Sequence, residues 1–145
     1  MAPPPSPSVL PAPLRLAGVH HVAVIGSDYA RSRRFYTEVL GLTVVHETWR
    51  AERQSHKLDL QLPDGTQIEL FSFPESPPRP SYPEACGLRH LALRVGDLAA
   101  CLRALATHGV AAEPVRVDPF TGCPFTFIAD PDGLPIELVG PRPGC

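Results

Sequence analysis

Short runs rich in Val and Leu, broken by turns and by two helical stretches, set the organisation of this chain. Residues 19–26 (VHHVAVIG) and 89–95 (RHLALRV) have the length and composition of strands. Each leads into a helix. The first helix is predicted from an N-cap at Ser27 or Asp28 to Gly41. The second runs from Asp97 to Gly109, with Leu98, Cys101, Leu102 and Leu105 at helical spacing. Three strand-like segments then follow in each half, at 42–50, 56–62 and 67–73, and at 112–117, 123–129 and 134–139. Pro63-Asp64-Gly65 and Pro131-Asp132-Gly133 mark equivalent turns before the last strands. The pattern predicts one βαβββ unit used twice.

Self-comparison supports the duplication. Residues 18–28 and 87–97 match at Gly18/Gly87, His21/His90, Ala23/Ala92 and Asp28/Asp97, an offset of 69. Residues 63–70 (PDGTQIEL) and 131–138 (PDGLPIEL) share six of eight positions at an offset of 68. Two such matches in the same order indicate two related modules, at about 17–73 and 86–140, within a single domain spanning 15–142. The fold class expected is α+β.

Composition narrows the picture. The 145 residues carry 13 Lys and Arg against 15 Asp and Glu, a net charge of −2. That balance, with a pI near 6.3, excludes the basic face of a general nucleic-acid binder. No apolar run approaches the roughly 20 residues of a membrane span. Proline is abundant, at 19 residues. The opening stretch, 1–14, reads as a disordered Pro-rich tail without the basic start and apolar core of a secretory signal. A second cluster, Pro74, Pro77, Pro78, Pro80 and Pro83, predicts a loop between the modules. Cys86, Cys101, Cys123 and Cys145 form no C-x-x-C pair, and free thiols in a cytoplasmic protein are the expectation. Cys145 lacks the context of a lipidated C-terminus.

The candidate chemistry lies on the strands. Side chains alternate across a strand, so His21, Ala23 and Ile25 share one face, as do His90, Ala92 and Arg94. Glu69 lies on a face with Phe71 and Phe73, and Glu137 with Val139. A lone Glu in an Ile-Glu-Leu strand is ordinarily its solvent-facing member, and a lone strand His is ordinarily structural. Here both residue types recur in register. If the modules pack about a pseudo-two-fold axis, two imidazoles and two carboxylates can converge. Such a set suits Zn, Ni, Co, Mn or Fe and leaves positions for a substrate offering two neighbouring oxygens. The offset selects His21 over His20, which is expected on the opposite face. His46, His56 and His108 have no repeat partner.

These residues resemble the vicinal oxygen chelate superfamily, which includes glyoxalases, bleomycin-resistance proteins and dioxygenases. The resemblance rests on His21-Val22-Ala23-Val24 followed by Asp28, and on Arg34-Phe35-Tyr36-Thr37-Glu38-Val39-Leu40-Gly41-Leu42. It rests further on Ile68-Glu69-Leu70, on Gly87-Leu88-Arg89-His90-Leu91-Ala92, and on Asp130-Pro131-Asp132-Gly133 followed by Ile136-Glu137-Leu138. The segments 69–92 and 116–127 are similar to the bacterial YaeR-type, glyoxalase I-like branch. The resemblance implies two βαβββ modules forming a cupped, incomplete β-barrel around one divalent ion held by His21, Glu69, His90 and Glu137. Nickel, cobalt or zinc would be preferred, with manganese or iron as further options. Glu137 would also act as the catalytic base, and the protein would be a homodimer. The implied activity is that of a lyase or isomerase acting on a small molecule with vicinal oxygens through an enediolate-type intermediate. Glutathione-binding members resemble one another in an Arg and an Asn where this chain has Ile25 and Phe73, which argues against glutathione hemithioacetal. Arg50, Arg53, Lys57, Arg94 and Phe125 are candidate substrate contacts, and a cationic lining would suit a carboxylate or phosphate. Two other functions fit the same fold: an iron-dependent ring-cleaving dioxygenase and a drug-binding resistance protein.

Overall fold

Two four-stranded sheets with the same internal strand order carry the chain. The structure, a computed structural model, describes residues 13–143. The first sheet contains β1 (His21–Ile25), β2 (Thr43–Arg50), β3 (Ser55–Gln61) and β4 (Gln67–Phe71), in the order β1-β4-β3-β2. The second contains β5 (Leu91–Arg94), β6 (Arg116–Val117), β7 (Pro124–Ala129) and β8 (Pro135–Val139), in the order β5-β8-β7-β6. In each sheet the first strand pairs in parallel with the last, and the remaining pairs are antiparallel. The duplicated βαβββ architecture expected from the sequence is therefore present, and the fold is α+β.

The helices start as expected, at side-chain caps. Asp28 accepts from Arg31 N at the start of α1 (Tyr29–Arg34). Asp97 does the same for Ala100 N at α2 (Leu98–Thr107). The first helix departs from the single α-helix predicted to Gly41. After Arg34 it widens into a π-helical turn, Phe35–Val39, with Leu40 N bonded to Phe35 O at 3.0 Å. Thr37 contributes by donating its hydroxyl to Arg33 O, a local bond that competes with the regular ladder. The wider turn lets two consecutive aromatics, Phe35 and Tyr36, both enter the core. Gly41, at φ 71°, then ends the helical segment in a left-handed conformation.

Several strand boundaries also differ. Both leading strands start two residues later than predicted, so His90 immediately precedes β5 and His20 precedes β1. The strand predicted over 112–117 is reduced to β6. Glu113 N still bonds Phe127 O at 2.9 Å, but Pro114 has no N–H to continue the ladder. The predicted tail over 1–14 falls mostly outside the described residues, as does Cys145. Cys86, Cys101 and Cys123 are free thiols. No helix among the described residues is long and apolar enough to cross a membrane.

One hydrophobic cluster joins the modules. Leu58, Leu60, Ile68 and Leu70 from the first sheet belong to the same buried cluster as Leu98, Ile128, Ile136 and Leu138 from the second module. Polar bonds reinforce the seam. Tyr36 donates to Asp130 Oδ2 at 2.8 Å in a buried bond. Ser27 N donates to Asp132 Oδ2 at 2.9 Å, and the Ser27 hydroxyl also bonds Asp132. Burying one face of each sheet leaves the alternate positions open, and His21, Ala23, Ile25, Ala92 and Arg94 are all exposed.

Candidate metal centre

Strand register places the predicted ligands pairwise. In the first sheet β1 and β4 run in parallel with Ala23 opposite Glu69. His21, two residues before Ala23 on the same face, brings its Nε2 to 3.6 Å from Glu69 Oε2. The second sheet repeats the arrangement. Ala92 stands opposite Glu137, and His90 Nε2 lies 3.1 Å from Glu137 Oε2. Both carboxylates are largely shielded, with side chains 17% and 19% exposed. Each module thus presents one imidazole and one carboxylate on an open sheet face.

The two pairs remain apart within one chain. Among the described residues, no group of three or more His, Cys, Asp or Glu side chains is gathered closely enough to hold an ion. The donor chemistry fits a borderline divalent cation, and each pair fits as half of a site. The four predicted ligands are not brought together as a single cluster by one copy.

The surroundings of the pairs differ. In the first module Lys57 Nζ lies 2.7 Å from Asp59 Oδ1 and 3.0 Å from Glu69 Oε1. Hydrogen bonding to Asp59 first, and then to Glu69, pushes the Lys57 ammonium above its ordinary pKa. The Lys57 cation is therefore committed to two carboxylates. In the second module the His90 ring meets Phe127 edge to face, at 5.3 Å between centroids. Phe127 is the cross-strand neighbour of Glu137. A cavity of about 640 Å³ opens beside it, with Arg79, Tyr82, Arg89, His90, Arg116 and Phe127 among its lining residues.

The other predicted contacts sit around these half-sites. Arg50 lies over the Phe71 and Phe73 rings, at 4.9 and 5.8 Å from their centroids. Arg53 lies 5.8 Å from the Phe73 centroid. Phe125 carries Arg116 over its ring at 5.1 Å. Arg94 is exposed on β5, where its charge adds a small contribution to a low Asp64 pKa set mainly by the Thr66 backbone N–H.

Two residues take roles beside the site that their residue types do not show. His20 was expected to face away from His21. It precedes β1, so strand alternation does not govern it, and its Nδ1 lies 2.9 Å from His21 Nδ1. One of the two nitrogens must carry the proton, and the contact leaves His21 Nε2 directed at Glu69. Arg79, within the Pro-rich loop, donates from Nη2 to Leu88 O at 2.7 Å and Arg89 O at 2.9 Å. It thereby fixes the backbone leading into His90. Its acceptors are main-chain carbonyls, which leave no residue-type signal in a sequence.

Comparison with known proteins agrees with the fold. The family model of the Glyoxalase/Bleomycin resistance protein/Dioxygenase superfamily matches residues 18–138. YaeR of Escherichia coli (strain K12) is 54% identical over 125 residues, covering 86% of this chain and 97% of that protein. The crystal structure of a glyoxalase family protein from Enterococcus faecalis superposes with a TM-score of 0.79 at 46% identity, covering 85% of this chain and 97% of that one. A 2-epi-5-epi-valiolone epimerase from Actinomyces sp is 29% identical over 142 residues, covering 83% of this chain and 78% of that enzyme.

Proposed function

Because the chain belongs to the glyoxalase/bleomycin resistance protein/dioxygenase superfamily, we propose that it is a metal-dependent, glyoxalase I-like lyase or isomerase acting on a small molecule with vicinal oxygens. The observation that carries this reading is the repeated His–Glu pair, at 3.6 Å in one module and 3.1 Å in the other. His21 and Glu69 of one copy, with His90 and Glu137 of a second copy, would hold one divalent ion. Nickel, cobalt and zinc suit the donor set best, and manganese or iron also fit it. The open sheet faces and the separation of the pairs within one chain favour such a shared site, and hence a homodimer.

When bound, the ion supplies Lewis-acid stabilisation of negative charge developing on a substrate oxygen. The residues of the chain do the remainder. Glu137 accepts the proton from the carbon next to the carbonyl and returns it to the same or the neighbouring carbon. Phe127, opposite Glu137 on β7, covers one side of that carboxylate and limits its contact with water. Ile25 and Phe73 offer no polar anchor for a glutathione moiety, so the substrate proposed is not glutathione hemithioacetal. Similarity to a 2-epi-5-epi-valiolone epimerase is consistent with proton abstraction and return.

Elemental analysis of gently purified protein tests the reading. The wild type is expected to carry one divalent ion per chain, and His21→Ala and Glu137→Ala to lose it. A wild type that holds no ion after exposure to nickel, cobalt, zinc, manganese and iron would refute it.

A further inference from the structure

The rim of the first half-site has a charge asymmetry that the metal reading does not use. Equivalent edge strands of the two modules, β2 and β6, each place an arginine over a pair of phenylalanines. In the second module Arg116 lies 5.1 and 5.7 Å from the Phe125 and Phe127 centroids. Its charge is met by Glu113 Oε2 at 2.9 Å. In the first module Arg50 lies over Phe71 and Phe73, and Arg53 approaches the same Phe73 ring. Among the described residues, neither Arg50 nor Arg53 has a carboxylate within ion-pair distance. The nearby Lys57 already answers both Asp59 and Glu69.

Arg50 is also held in place. Its Nη2 donates to Ser55 Oγ at 2.8 Å, and Ser55 is fully buried. Its Nε is buried and has no hydrogen-bond partner. The Phe71 and Phe73 rings beneath it are stacked, 6.1 Å apart and 8° from parallel. Stacking occupies the face of the guanidinium and, with Nε buried and one Nη2 hydrogen given to Ser55, leaves the Nη1 side for in-plane bonds to an oxyanion. A guanidinium fixed on aromatic rings and partly stripped of water binds an anion at a smaller ordering cost than a mobile surface cation.

We propose that Arg50 and Arg53, arranged around Phe73, form an oxyanion-binding subsite for a phosphate or carboxylate group of the substrate. This deepens the proposed function by naming the substrate as an anion, and it places the anionic group beside the His21–Glu69 half-site. Phe71 links the two, since it shares the face of Glu69 on β4 and lies under Arg50.

The test uses chelator-treated full-length protein, so that its failure is separable from failure of the metal site. Inorganic phosphate and acetate are titrated separately at constant ionic strength. Binding is read by calorimetry and by emission of Trp49, the single tryptophan of the chain and the neighbour of Arg50. Saturable binding of at least one anion is expected, with the tighter of the two identifying the group. Arg53→Gln, on an exposed turn, should weaken it several-fold, and the Arg50→Gln/Arg53→Gln pair by at least about tenfold. Arg103→Gln, exposed on α2, should leave it unchanged. No saturable binding of either anion, or equal binding by wild type and Arg53→Gln, would overturn the proposal.

Discussion

The hydroxyl of Tyr36 donates a 2.8 Å hydrogen bond to Asp130 Oδ2, joining residues 94 positions apart and belonging to different modules. Tyr36 is fully buried. The other Asp130 oxygen accepts from Asp132 N at 2.9 Å and Leu134 N at 2.8 Å. One carboxylate thus shapes the turn before β8 and docks it on the first helix. Tyr36→Phe removes a donor from a buried acceptor, at a cost of about 1–3 kcal/mol. A fall in Tm of roughly 2–4 °C per kcal/mol is expected, read by thermal or urea unfolding.

The same residue governs alkaline stability. Burial, reinforced by Asp130, pushes the Tyr36 phenol well above its ordinary value of 10.0. The folded chain keeps that proton where the unfolded chain loses it. The contribution is therefore complete below about pH 10 and declines as pH rises beyond, by up to about 1.4 kcal/mol per pH unit. Urea unfolding between about pH 9 and 11.5 should show this slope, and Tyr36→Phe should reduce it, with Tyr29, whose phenol is also raised by burial and by Glu47, supplying part of what remains.

Gly26 follows β1 where there is no room for a side chain. An added Cβ would stand 2.5 Å from Ser32 Oγ and 2.9 Å from Ser32 Cβ. Ser32 is fully buried on α1. Gly26→Ala should destabilise by about 1–3 kcal/mol through overpacking. Adding Ser32→Ala should recover part of the loss, because it removes the closer of the two contacts.

His20 bears on the proposed metal centre through His21. Its Nδ1 contact at 2.9 Å orients the His21 ring from outside the ligand set. His20→Ala should weaken ion binding by about 10–100-fold and leave the fold intact. Equilibrium metal titration against a competing chelator, with circular dichroism as the control, checks this.

Much of this arrangement could be read from residue types. The repeats at His21/His90 and Ile68-Glu69-Leu70/Ile136-Glu137-Leu138 carry the duplicated topology, and alternation along β1 and β4 places His21 and Glu69 on one face. The rest depended on geometry that residue types do not encode. The π-helical turn at Phe35–Val39 shares its composition with an ordinary helix. His20 escaped alternation because the strand begins after it, at His21. Arg79 bonds backbone carbonyls. The distinction between Lys57, held by Asp59 and Glu69, and Arg50 or Arg53, which lack such partners, required side-chain positions. Separation of the two His–Glu pairs within one chain is a property of module packing, and neither repeat encodes it.

In the proposed dimer, one site takes His21 and Glu69 from one copy and His90 and Glu137 from another. Co-expression of Glu69→Ala and Glu137→Ala chains, each carrying a different tag, tests it directly. In a mixed dimer with shared sites, both lesions fall in one site and the other retains all four ligands. Tandem-purified mixed dimers should therefore hold about one ion per dimer, while each variant alone holds none. Mixed dimers as empty as either parent, beside a metal-loaded wild type, would contradict the account.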